Sequence, residues 1–217
     1  MSLALFDLDN TLLAGDSDHA WGEFLAAAGI VDGDAFRREN DRYYAQYQAG
    51  TLDIHEYLGF ALRPLTLLDA PRLDAMHRQF MRSHILPMIA PKARALLDKH
   101  RARGDRLVII TSTNRFVTEP IAQALGVPDL LATEPERRDG RYTGAVAGVP
   151  CFREGKVTRL KQWLARERES LAGSWCYSDS LNDLPLLELA ENPVAVDPDD
   201  VLRRVAEERG WPIISLR

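Results

Sequence analysis

Near the amino terminus an apolar run, Leu3-Ala4-Leu5-Phe6, stops abruptly at Asp7-Leu8-Asp9-Asn10-Thr11. Four apolar residues between polar ones predict a strand buried on both faces, as in the middle of a parallel sheet. In such sheets ligands bind beyond the carboxyl ends of the strands, which is where Asp7 and Asp9 stand. A carboxylate buried there alone is costly, so a cation or a donor-rich pocket is expected beside Asp7. The competing expectation is that the two acids solubilise a loop or cap a helix. Other segments repeat the pattern: Arg106 to Thr111 is an apolar strand running into Ser112-Thr113-Asn114, and Trp175 to Ser178 runs into Asp179, with Asn182 and Asp183 just beyond. Lys156 falls in the first turn of a predicted helix, the end that disfavours a cation. A neighbouring anion would explain it; ordinary solvation is the alternative.

An α/β alternation has to carry these strand ends, and most of the chain supplies one. Pro91 opens a helix that Gly104 closes, with Lys99, Arg101 and Arg103 in its last turns. Phe116, Val117, Ile121, Ala124 and Leu125 share the next helical face, and Leu130 to Thr133 suits a short strand. Asp139-Gly140 predicts a hairpin returning through Tyr142 to Ala147. Gly155 opens a helix through Leu160 and Leu164, and strands near 194–196 and 211–216 flank a helix over 199–209. The predicted fold is α/β, a doubly wound, mostly parallel sheet. Residues 16–87 depart from this rhythm. There helix follows helix, punctuated by Gly29, Gly50 and Pro64, with starts marked by Asp34, Asp53 and Pro71. An all-helical module over 16–87 is thus expected inside a core formed by 1–15 and 88–217.

A chain of 217 residues, 46 % of them hydrophobic, can bury a full core. Its net charge of -5 comes from interspersed acids and bases, which gives no reason to expect nucleic acid as a partner. No leader-like segment opens the chain and no apolar run nears the roughly 20 residues of a membrane helix, so a cytoplasmic protein without membrane contact is expected. Cys151 and Cys176 suit core thiols. His19, His55, His77, His84 and His100 lack the spacing of a zinc site, so any metal is expected to be oxygen-bound.

Taken together, the motifs resemble the haloacid dehalogenase-like superfamily, along the whole chain and in the order that superfamily requires. Asp7-Leu8-Asp9-Asn10-Thr11 looks like its nucleophile motif, Thr111 its second motif, Lys156 its third, and Ser178-Asp179-Ser180-Leu181-Asn182-Asp183 its acidic fourth. The helical insertion resembles the C1-type cap of the phosphoserine phosphatase-like branch, and Gly155-Lys156-Val157 and Leu181-Asn182-Asp183 are worded as in that branch. The resemblance implies a Mg²⁺-dependent phosphomonoester hydrolase acting through an aspartyl-phosphate. Asp7 would be the nucleophile and Asp9 the general acid, later the base that activates water. Asp7, the Asp9 carbonyl and Asp179 would hold the metal, with Asp183 and Asn182 behind them. Thr111 would bond a phosphate oxygen beside the N–H groups of Leu8 and Ser112. Such a division of labour suits a reaction whose barrier must fall by about 20 kcal/mol or more.

A small phosphorylated metabolite is the expected partner, chosen by the cap. Asp16 lies where the branch places an acid against the substrate's amino group, with His19 and Trp21 close by and Ser112 and Asn114 across the site; capping of the first helix is the alternative for Asp16 and Asp18. Two departures turn the expectation away from phosphoserine: Ser112-Thr113-Asn114 replaces Ser-Gly-Gly, and Ser178 replaces Gly. Histidinol phosphate is the first expected substrate and phosphoserine the second. A phosphotransferase or mutase, and a catalytically silent binding protein of the same fold, are the rival readings. Ala14-Gly15 and Pro87 to Pro91 are the expected hinges, and the aromatic helix faces suit a monomer or a homodimer.

Overall fold

In the computed structural model, which describes residues 2–217, the first apolar run is strand β1 (Leu3–Phe6). It is followed in the chain by β2 (Arg106–Asn114), β3 (Asp129–Thr133), the antiparallel hairpin β4 (Pro135–Arg138) and β5 (Arg141–Val146), β6 (Trp175–Ser178), β7 (Asn192–Val196) and β8 (Ile213–Ile214). Six of these form one parallel sheet in the order β3-β2-β1-β6-β7-β8. The order reverses at β1, so β1 has β2 on one side and β6 on the other. That reversal is the crevice where open α/β sheets bind ligands; Asp7 and Asp179 follow directly on β1 and β6 there, and Thr111 lies toward the end of β2.

Alternation along β1 explains why all four of its residues are buried. Ala4 and Phe6 join Leu107 and Ile109 on one face, under α6 (Ala93–Ala102) and α7 (Arg115–Ala124); Leu3 and Leu5 join Val108 and Ile110 on the other, under α8 (Glu154–Glu167), α9 (Leu184–Leu187) and α10 (Asp200–Arg209). Phe6 stacks on Tyr177 with ring centres 5.0 Å apart. Cys151 and Cys176 are buried free thiols in the second face.

Between β1 and β2 lie α1 (Ser17–Ala27), α2 (Gly33–Gln48), α3 (Ile54–Ala61), α4 (Ala70–Phe80), a wide turn over Met81–Ile85 and α5 (Leu86–Met88). Carboxylates of Asp16, Asp53 and Asp69 cap α1, α3 and α4. Asp34 does not begin α2 as expected; the helix starts at Gly33, so Asp34 sits in its first turn. Trp21, Phe24, Leu25 and Phe80 belong to the same apolar cluster as Phe6 and Ile109, so α1 and α4 share the core of the sheet, while Tyr43, Leu52 and Phe152 form a separate cluster under α2. The connections in and out run antiparallel, Leu13 bridging to Ile89, with Ala14 N–H on the Met88 carbonyl at 2.6 Å and Ala90 N–H on the Leu12 carbonyl at 2.9 Å. No helix among the described residues is long and apolar enough to cross a membrane.

Two strands differ from their sequence reading. β2 continues past Thr111 to Asn114 through an irregular register with β3, which buries Thr113 and Asn114 beside the site. The last strand shrinks to Ile213–Ile214 because it lies at the sheet edge and follows Pro212, which has no N–H to give.

The start of α8 leaves no room for a side chain at Gly155: an added Cβ would sit 2.0 Å from the Pro150 carbonyl oxygen. Gly155→Ala is therefore expected to cost about 2 kcal/mol or more, read as a lower midpoint of thermal unfolding. An unchanged midpoint would show that the Pro150 turn yields freely.

Candidate active site

Lys156, in the first turn of α8, is fully buried, and its Nζ donates to Asp7 Oδ1 and to Asp183 Oδ2, each at 2.7 Å. Asp183 ends the short turn Leu181–Asp183 and also accepts from Ser178 Oγ at 2.7 Å. Thr11 Oγ1 lies 2.9 Å from Asp179 Oδ1 and 3.4 Å from Asp7 Oδ2, and takes the Asp179 N–H at 3.1 Å. It thereby ties the loop after β1 to the loop after β6. The loop after β1 is a five-residue turn, Leu8–Leu12, closed by Leu13 N–H on the Leu8 carbonyl, with Asn10 in the left-handed region that asparagine tolerates.

Burial disfavours charge here and pushes the Asp7 carboxyl up to about 7, although the Lys156 ammonium pulls the other way. Burial, reinforced by Asp7, drives Asp179 well above its ordinary value. On Lys156, burial alone would favour the neutral amine, but Asp183 and Asp7 outweigh it and hold the ammonium charged. Two buried carboxylates thus share one ammonium, and a third, Asp179, is tied to them through Thr11. Such a surplus of negative charge on hard oxygen donors fits a divalent cation of the magnesium type.

Asp9 points elsewhere. Its Oδ1 accepts from Ser17 N–H at 2.7 Å and its Oδ2 from Thr113 Oγ1 at 2.8 Å, and burial, followed by nearby Asp16, raises its carboxyl to about 7. An acid poised near neutrality can both give and take a proton. The Thr111 hydroxyl accepts from Thr113 N–H at 3.2 Å, so its own proton remains to be donated.

A recess opens on Asp7 and Asp9; Asp16, Asp18, His19, Asn40, Ser112, Thr113 and Phe152 line it, together with Tyr43, Tyr44, Tyr47 and Tyr57. Of the residues expected to meet substrate, Asp16, His19 and Ser112 are here, but Trp21 and Asn114 are not among its lining. Trp21 is 2 % exposed and packs on Phe24, Phe80 and Phe116 in the core. Asn114 caps α7 through Oδ1 and reaches Asp18 through Nδ2. Asn182 does not touch the acids: it accepts from Arg153 Nε at 2.9 Å and donates to the Tyr47 carbonyl at 3.2 Å.

The four tyrosines and Arg153 escaped the sequence reading as site residues. At helical spacing the tyrosines look like core faces, and an arginine in a turn looks solvated. Arg153 in fact stands at φ 48°, a conformation that costs a non-glycine residue about 1–3 kcal/mol. From there its guanidinium lies over Phe152 and bonds the Gly50 carbonyl, so Arg153 and Asn182 together fasten the end of α2 to the sheet side of the site. His19, Glu23 and Asp41 also bring ligand-type atoms within 4.8 Å of one another, but His19 bonds Asp41 and Glu23 pairs with Arg37.

The chain is similar to known proteins along its length. A family described as haloacid dehalogenase-like hydrolase matches residues 4–188. Over 220 residues the chain is 44 % identical to a histidinol-phosphatase of Neisseria meningitidis serogroup C, covering 100 % of this chain and 99 % of that protein. It is 30 % identical to a probable phosphatase of Mycobacterium tuberculosis, over 98 % of this chain and 74 % of the other. Among solved structures, a protein of unknown function from Bordetella pertussis Tohama I superimposes with a TM-score of 0.94 at 46 % identity, covering 100 % and 99 % of the two chains. A substrate-bound phosphoserine phosphatase superimposes with a TM-score of 0.72 at 18 % identity, over 100 % and 93 %, which shows a shared fold.

Asp7, Asp9, Asp16, Asp18 and Asp179 all hold protons more tightly folded than unfolded. From about pH 4 to about pH 7 the folded chain therefore binds more protons than the unfolded one, and these groups make stability fall as pH rises. Without divalent cations, thermal midpoints should drop between pH 5 and pH 8, and Asp179→Asn should flatten the drop; equal slopes in the two proteins would contradict the charge surplus. Arg153→Ala should speed proteolytic cleavage around Gly50 at least about fivefold by releasing the end of α2, whereas an unchanged cleavage rate would mean that Asn182 alone suffices.

Proposed function

Because the chain belongs to the haloacid dehalogenase-like hydrolases, and is a phosphatase of that family, we propose that it hydrolyses histidinol phosphate through an aspartyl-phosphate at Asp7. The observation that carries the choice of substrate is the composition of the recess. Two acids, Asp16 and Asp18, and four tyrosines line it, and among the described residues no lysine or arginine does. An ammonium group and an aromatic ring suit such walls. A substrate carboxylate, as in phosphoserine, would meet carboxylates and no cation, a mismatch that costs affinity. The histidinol-phosphatase at 44 % identity supports the same choice.

In this reading Asp7 Oδ1 stays paired with Lys156, leaving Oδ2, with only the longer Thr11 contact, to attack phosphorus. The bond from phosphorus to the ester oxygen breaks as the new one forms. Asp9, protonated and fixed between Ser17 and Thr113, gives its proton to the departing alkoxide. Lys156 offsets charge on the transferring phosphoryl group, Asp183 holds Lys156 in place, and Thr111 donates its hydroxyl proton to a phosphoryl oxygen. Asp9, now ionised, then takes a proton from water as that water attacks the aspartyl-phosphate, freeing inorganic phosphate and restoring Asp7. Asp7, Asp179 and the Asp9 carbonyl would hold Mg²⁺, which supplies further charge neutralisation at the phosphoryl group.

With Mg²⁺, phosphate release from histidinol phosphate is expected to exceed that from phosphoserine by at least about tenfold in kcat/KM, and Asp7→Asn should lower it at least about a thousandfold. Chelation of the metal should stop release. Preference for phosphoserine would overturn the substrate, phosphoryl transfer to an added alcohol in place of water would favour a transferase, and full activity of Asp7→Asn would remove the nucleophile.

A further inference from the structure

Helices α1 and α2 approach closely where Gly22 faces Asn40. A Cβ at Gly22 would sit 2.7 Å from Asn40 Nδ2, and that same amide donates to the His19 carbonyl at 3.0 Å. Around this contact stand three side chains that can bind a metal. His19 and Glu23, four residues apart, share one face of α1, and Asp41 follows Asn40 on α2. A ring nitrogen of His19 and one carboxylate oxygen each from Glu23 and Asp41 lie within 4.8 Å of one another, with His19 Nε2 and Asp41 Oδ1 at 2.9 Å. The five histidines lack zinc spacing among themselves, but here two carboxylates supply the missing ligands.

Two features set this group apart from an ordinary surface ion pair. Glu23 Oε1 is buried and has no hydrogen-bond partner among the described residues. The Arg37 guanidinium pairs with the other oxygen, Oε2, at 3.3 Å, and is shared with Asp34 at 3.5 Å. A carboxylate oxygen shut away from water without a donor is costly, and a cation is what would satisfy it. The second feature is spacing. Ligand atoms around a tetrahedral zinc stand about 3.3 Å apart when its bonds are about 2.0–2.1 Å. His19 and Asp41 would have to part by only a few tenths of an ångström to admit such an ion, and the Gly22–Asn40 contact holds their helices at that distance.

We propose that His19, Glu23 and Asp41 form a second metal site, for a divalent transition ion such as Zn²⁺, which ties α1 to α2 beside the recess that His19 also lines. The donors sort the ions between the two sites. An imidazole nitrogen favours Zn²⁺, Ni²⁺ or Cu²⁺ over Mg²⁺, whereas the oxygen-only cluster of Asp7 and Asp179 suits Mg²⁺. As the ion enters, it takes the place of the proton between His19 Nε2 and Asp41 Oδ1, which leaves to solvent. Such a site does not depend on the substrate assigned above.

Calorimetric titration of the full chain with Zn²⁺, with Mg²⁺ in excess, should reveal a site whose affinity falls at least about tenfold in each of His19→Gln, Glu23→Gln and Asp41→Asn. The same binding should persist in Asp7→Asn, which disables the oxygen-only cluster. With Cu²⁺ as the probe, the electron paramagnetic resonance spectrum of the wild type should show coupling to an imidazole nitrogen, lost in His19→Gln. The side chains of His19, Glu23 and Asp41 are 26 %, 37 % and 68 % exposed, so the three variants should fold with metal-free thermal midpoints near that of the wild type. Zn²⁺ should raise the wild-type midpoint by at least about 2 °C and leave theirs in place. Should one variant fail to fold, the other two carry the same comparison. Equal Zn²⁺ affinity in the wild type and the folded variants, Zn²⁺ binding lost in Asp7→Asn, or a copper spectrum without nitrogen coupling would overturn the site.

Discussion

One buried lysine sits between two buried aspartates, and a third aspartate is tied to the same cluster through a threonine. Lys156 is the ammonium that hydrogen-bonds Asp7 and Asp183, while Asp179 reaches the cluster through Thr11. Buried ion pairs of this kind are seldom a source of stability, because desolvation offsets most of the attraction. Here the acids also outnumber the base. The arrangement makes physical sense as a site held ready for positive charge and for a phosphoryl group, not as a fastening of the fold.

Much of the architecture follows from placing that cluster. Leu3, Leu5 and then Asp7 alternate toward the α8 side of the sheet, which is where Lys156 waits. The close approach of Gly155 to the Pro150 carbonyl sets where α8 begins, and so the height of Lys156 above the sheet edge. On the other side the irregular end of β2 carries Thr113 to Asp9 and Asn114 to Asp18. The helical layer does not float free above this edge. Trp21 and Phe80 anchor it in the sheet's own core, while Arg153 and Asn182 reach across to the end of α2.

The parts of this picture that rest on strand ends were legible in the sequence. An apolar run ending in acid has few physical interpretations, so β1, β2 and β6 and the convergence of Asp7, Asp179, Asp183 and Lys156 could be read from residue type and order. The recess could not. Tyr43, Tyr47 and Tyr57 repeat at helical spacing, which says that a face is buried but not whether core or ligand covers it. Trp21, an aromatic beside acids, looked like a substrate contact and is core, because its helix face turns toward Phe80 and Phe116. Arg153 depends on a left-handed backbone turn at a non-glycine residue, which leaves no mark in composition or periodicity.

Burial raises the carboxyls of Asp7 and Asp179, so a cation that binds between them should displace protons, and those protons can be counted. Calorimetric titration of the metal-free protein with Mg²⁺, in buffers of different ionisation enthalpy, gives the number released on binding. With Asp7 raised to about 7 and Asp179 raised as well, release should be at least about one proton near pH 6 and shrink as pH rises above about 7. Binding that releases no protons at any pH, or no binding at all, would contradict the account.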